Sequence, residues 1–180
     1  MKSLRSFALL GGAALLVLGS AYVNTGNAQQ AAKGHEFIGS KACMACHKGP
    51  AKGAIFESWE KSAHATALSK LPAESQKDPK CLPCHSTGFG KPGGFNPAAA
   101  TNAPGLDAVG CEACHGAGKD YKVIHAKKDR AKSVEAGLVV PSAATCKSCH
   151  EGAVPAGHKA LPKFDYAAAK TKIEHHVPKK

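Results

Sequence analysis

The chain has 180 residues, with 24 Lys or Arg against 13 Asp or Glu and a formal charge of +11 with histidine neutral. A single Trp, three Tyr and a hydrophobic fraction carried largely by alanine exclude an ordinary large apolar core, and the length limits the chain to one domain. The basic balance does not mark a nucleic-acid binder, because Arg5 and Arg130 are its only arginines and no motif interleaves aromatic with basic residues. In chain order, MKSLR, the apolar run from Phe7 to Leu18 and Gly26-Asn27-Ala28 read as a secretory signal cleaved after Ala28, with Ala21 as the alternative site. Residues 1–28 are thus expected to be a signal peptide and residues 29–180 the mature domain, exported to the periplasm. The apolar run is about half of the roughly 20 residues a spanning helix needs, so membrane contact is expected only if the segment stays uncleaved. No cysteine lies there to carry a lipid.

All eight cysteines fall into four C-x-x-C pairs: Cys43/Cys46, Cys81/Cys84, Cys111/Cys114 and Cys146/Cys149. Each pair is followed at once by a histidine: His47, His85, His115 and His150. C-x-x-C-H is the attachment pattern for haem c. Two thiols three positions apart can add to the two vinyl groups of one porphyrin, and the next residue's imidazole then reaches the iron. Structural zinc and a disulfide scaffold are the alternatives for paired cysteines in an exported chain, but neither gives the four histidines a reason. Four covalently bound haems would also form the core that the side chains cannot, which leads us to expect a mainly α fold with long irregular loops. The first cysteines stand 38, 30 and 35 residues apart, too unequal for a regular solenoid.

A sixth ligand has to be histidine or nothing. The only methionines are Met1, in the signal, and Met44, inside the first attachment loop. Outside the motifs stand His35, His64, His125, His158, His175 and His176. From Pro50 the sequence reads as a helix whose Phe56, Trp59 and Ala63 form one stripe, with His64 off that stripe and beside Leu68 one turn on. In KDYKVIHAKKDRAKSVEAG, Tyr121, Ile124 and His125 share a helical face, which predicts a buried His125. Asp165 can cap a last helix in which Tyr166, Ala169, Ile173 and His176 line up. That alignment favours His176 over His175, and a shift of one residue reverses it. His35 and His158 are expected to be exposed.

FESWEKSAHATAL after the first site, CLPCHSTGFGKPGGF at the second, VGCEACHGAGKDY at the third and CKSCH at the fourth resemble the tetrahaem cytochrome c-554 family, over most of residues 38 to 176. The resemblance implies a multihaem c-type cytochrome that carries electrons between redox partners in the periplasm, hopping between closely packed porphyrins. It implies axial pairs His47/His125, His115/His176 and His150/His64, with His85 lacking a protein partner. The glycine-rich STGFGKPGG would then let backbone pass close to the second haem without offering its iron a side chain; His35 is an additional candidate for that position. The implied partners are a hydroxylamine-oxidoreductase-like donor and another cytochrome as acceptor, in nitrogen metabolism. A haem enzyme reducing a small nitrogen oxide such as nitric oxide at a five-coordinate iron is the alternative function. No catalytic acid or base stands out; Glu112, Asp120 and Lys91 look like equal bystanders.

Charge bears on the partners. Without Lys2 and Arg5 the formal charge is 22 basic minus 13 acidic residues, +9, and four ferric haems with ionised propionates would add about −4. The remaining excess is expected to form a docking face for an acidic redox partner.

Overall fold

The computed structural model describes residues 34–176; the expected signal peptide and its cleavage sites lie outside them. Eight short helices follow one another: α1 (Lys41–His47), α2 (Ile55–Glu60), α3 (Leu82–His85), α4 (Cys111–His115), α5 (Lys122–Ala126), α6 (Arg130–Glu135), α7 (Ala143–His150) and α8 (Tyr166–Ile173). Irregular backbone and three 3₁₀ turns connect them, and among the described residues there is no strand. The fold is therefore mainly α with long loops, as the sequence leads one to expect.

Each C-x-x-C-H motif is a short helical segment that ends on its histidine: α1, α3, α4 and α7 close at His47, His85, His115 and His150. Positions three and four apart share one side of a helical turn, so this conformation brings both thiols and the imidazole to one face. Glycine ends α4, where Gly116 takes φ 78° and its N–H bonds the Glu112 carbonyl.

Two expected long helices are broken. The segment from Pro50 is a 3₁₀ turn (Pro50–Lys52), then α2, then a second 3₁₀ turn (Ala63–Thr66). Gly53 at φ 81° and Ala54 at φ 47° are left-handed, and Ser62 is extended, so the chain changes direction on both sides of α2. Lys128 at φ 63° likewise separates α5 from α6, and Asp129 restarts the helix by accepting the Lys132 N–H at 3.0 Å. Asp165 caps α8 as expected, accepting from the Ala168 N–H at 3.0 Å. That helix stops at Ile173 and Glu174 is extended, so the facing argument for His176 fails.

The apolar core is small. Leu68, Leu82, Phe95 and Leu106 are buried together, flanked by Phe37, Leu71, Phe89 and Ala103. Leu82, fully buried, belongs to the second attachment motif, so this cluster lies directly under it. Burial of each large side chain is worth about 1.5–3 kcal/mol. The glycine run packs against itself and its neighbours: a Cβ at Gly94 would collide with the Gly88 carbonyl, and one at Gly88 would stand 2.8 Å from the Phe37 ring.

Candidate cofactor site

Three pairs of histidine rings face one another at nearly one distance. The centroids of His47 and His125 are 6.0 Å apart, those of His64 and His150 6.1 Å, and those of His115 and His175 5.9 Å. Among the described residues no ring faces His85 in this way. His176, the expected partner of His115, instead points its 78% exposed side chain towards Glu174, 3.4 Å away. The cause is local: beyond Ile173 the chain is extended, and successive side chains alternate in direction. His125 is exposed rather than buried, because Tyr121 takes the inward position at the start of α5 and packs edge-on to the His125 ring at 6.4 Å.

His64, His85 and His115 are placed by contacts far along the chain. The N–H of Val109 donates to the His64 carbonyl at 3.1 Å, while Trp59 Nε1 donates to the Val109 carbonyl at 3.0 Å. The W-x-x-x-x-H spacing therefore holds both backbone groups of one residue, Val109, two positions before Cys111. His85 Nδ1 bonds the Ala67 carbonyl at 2.8 Å and His115 Nδ1 the Val139 carbonyl at 3.2 Å. A nitrogen bonded to a carbonyl carries the proton, leaving the Nε2 lone pair for a metal. His47 Nδ1 is buried without a partner among the described residues, and His150 stacks on Phe164 at 4.6 Å. Burial, and then the neighbouring His125, depress the His47 pKa; burial followed by His150 does the same at His64. At His115 burial also lowers it, against the opposing Val139 hydrogen bond. Neutral imidazoles are the form that binds metal.

The thiols show which motifs meet. The neighbouring Cys111, with burial adding to it, raises the Cys43 pKa, and Cys43 in turn brings Cys111 down to about 7. Burial, then Cys149, pushes Cys84 up to about 11; burial, then Cys146, does the same for Cys114. Thiols raised in this way are protonated at neutral pH and unlike the activated cysteines of C-x-x-C redox enzymes.

Sequence reading missed the polar frame behind these motifs. Ser40 Oγ accepts the Cys111 N–H at 3.2 Å, and Thr87 Oγ1 accepts the Gly110 N–H at 2.8 Å while donating to the Ala108 carbonyl at 2.6 Å. Residues beside the first and second motifs thus close the open N–H groups at the start of α4. Glu112, a bystander by sequence, is buried and bonded to three backbone N–H groups. Asp120 pairs with His35 at 2.7 Å, beside the third motif. Serine and threonine next to a motif carry no sequence signal for such long-range bonds.

The geometry fits haem and not a bare metal ion. Two metal–nitrogen bonds of about 2 Å and the radii of two imidazoles add up to about 6 Å, the separation seen in all three pairs. The paired imidazoles would hold the iron of a haem attached through the neighbouring cysteines, and among the described residues no three His, Cys, Asp or Glu side chains converge on one point. All eight cysteines are free of disulfides, as thioether attachment requires.

Helical segments each ending on C-x-x-C-H, with paired imidazoles between them, define the class as that of the multihaem c-type cytochromes. The family described as cytochrome c554 and c-prime matches residues 42–116. Cytochrome c-554 of Nitrosomonas europaea is 34% identical over 111 residues, 53% of this chain and 44% of that protein, so the match spans less than half of the relative's length. The solved structure of reduced cytochrome c554 from Nitrosomonas europaea superposes with a TM-score of 0.54 at 28% identity, covering 77% of this chain and 78% of that one. The chain is thus similar to the cytochrome c554 family, whose model it matches over residues 42–116.

Proposed function

We propose that the chain is a periplasmic tetrahaem electron carrier. Cys43, Cys46, Cys81, Cys84, Cys111, Cys114, Cys146 and Cys149 hold four haems through thioethers, with His47, His85, His115 and His150 as proximal ligands. His125, His64 and His175 are the distal ligands of the first, fourth and third sites; at the second, no ring among the described residues stands opposite His85. The observation that carries this reading is the uniform separation of the three imidazole pairs, 5.9 to 6.1 Å. The haem irons supply one-electron chemistry, with hopping between neighbouring porphyrins. The chain's own part is to hold ring orientation through the Ala67 and Val139 carbonyls and to set spacing through Ser40, Thr87 and Val109. The donor is a hydroxylamine-oxidoreductase-like protein and the acceptor another cytochrome, both met through the basic surface. Intact-mass measurement of the protein from its native host is the test. Four haem masses on a chain starting at Gln29 are expected; bare thiols refute the reading.

That no ring among the described residues stands opposite His85 favours one further possibility, reduction of nitric oxide at that iron. Rapid mixing of reduced protein with nitric oxide separates the two: reoxidation no faster than in a control with every iron six-coordinate leaves the carrier alone.

A further inference from the structure

We infer that Glu112 is a fixed, buried negative charge that lowers the reduction potentials of the haems at the first and third attachment motifs. The inference rests on the haem reading above. Glu112 lies inside the third motif and is 2% exposed. It accepts the N–H of Gly118 at 2.6 Å, of Gly39 at 2.7 Å, and of Ile38 at 3.1 and 3.2 Å. Every partner is a donor, so both carboxyl oxygens act only as acceptors, the role of an ionised carboxylate. Among the described residues no Lys, Arg or His forms an ion pair with it. Its charge is held by peptide dipoles and is not cancelled.

The backbone is shaped to this carboxylate. Gly39 adopts φ 82°, where a Cβ would also stand 2.6 Å from the Pro104 carbonyl oxygen, and a Cβ at Gly118 would lie 3.0 Å from Glu112 Oε1. Residues 38 and 39 lead directly into the first motif, so one carboxylate joins the first motif to the third. Glu112 directly follows Cys111, and its partner Gly39 stands four residues before Cys43, so the carboxylate is tied by geometry to these two motifs.

Reduction adds one electron to a ferric iron and lowers its positive charge by one, while Glu112 is neither oxidised nor reduced. A nearby fixed anion therefore favours the ferric form and lowers the midpoint. A purely structural crosslink would hold residues 38 and 39 without selecting an oxidation state. Glu112→Gln keeps an acceptor oxygen and the shape but removes the charge; Glu112→Asp keeps the charge.

The test is a potentiometric titration of holoprotein whose four haems are verified by intact mass. In Glu112→Gln two of the four midpoints are expected to rise, each changing the ferrous-to-ferric ratio at fixed applied potential about tenfold, or about 59 mV for one electron. Glu112→Asp should return both towards wild type. Four loaded haems with every midpoint unmoved, or all four moved equally, overturn the inference and leave the haem reading intact; a wild-type chain with fewer haems overturns that reading instead. If Glu112→Gln fails to mature, infrared spectra of the wild-type holoprotein with isotope-labelled glutamate decide. An ionised Glu112 in both oxidation states supports the inference, and a protonated one overturns it.

Discussion

At the scale of single residues, the chemistry of each site is settled by contacts that neighbouring positions do not share. His175 and His176 differ by one step along an extended segment, yet only His175 faces His115. His175→Ala should convert one low-spin ferric site to high spin in the electron paramagnetic resonance spectrum, whereas His176→Ala should leave the spectrum unchanged; the reverse result would move the ligand by one residue. Trp59 has a comparable specificity. Its indole N–H satisfies the Val109 carbonyl, so Trp59→Phe leaves that acceptor without a partner at a cost of about 1–3 kcal/mol. The expected readout is an earlier denaturant midpoint with an unchanged slope, because the surface exposed on unfolding stays nearly the same.

At the scale of elements, the attachment turns were legible because their chemistry needs contiguous spacing: C-x-x-C-H specifies both the cofactor and one helical turn. What connects them was less legible. Apolar periodicity runs through Ala54 and Lys128, which sit in left-handed conformations that alanine and lysine do not signal, so the pattern of two long helices gives way to five short pieces. The long-range bonds of Thr87 and Glu112 join segments distant in sequence and leave no trace in any short window. Capping was legible, since Asp165 acts through the residue three positions on. It also yields a prediction. Asp165→Ala should weaken α8 by about 1 kcal/mol, so that amide hydrogens of residues 166–173 exchange about fivefold faster. Because α8 leads to His175, an added ligand such as cyanide should then bind the third site faster, while the His47/His125 site responds as before.

At the scale of the whole molecule, the question is where a basic protein is basic. Several lysines are offset locally: Lys119 pairs with Glu36, Lys147 with Glu151 at 3.2 Å and Lys170 with Glu174 at 3.5 Å. The α5–α6 region differs. Lys122, Lys127, Lys128, Arg130 and Lys132 are exposed there beside only Asp129 and Glu135, and among the described residues the one ion pair is Lys132 with Asp129 at 3.4 Å. This region also carries His125, which faces His47, so its field acts where an electron would enter or leave the first site. If it steers acidic partners, it should equally steer a small anionic oxidant. Reversing Lys127 and Lys128 to glutamate should slow oxidation of the reduced protein by ferricyanide severalfold at low ionic strength, and speed oxidation by a cationic cobalt complex. Both differences should vanish near 1 M salt, where screening acts within about 3 Å. Equal rates for wild type and variant with ferricyanide at low salt would place the entry face elsewhere, because a net change of four charges next to the reacting site cannot be silent if electrons pass there.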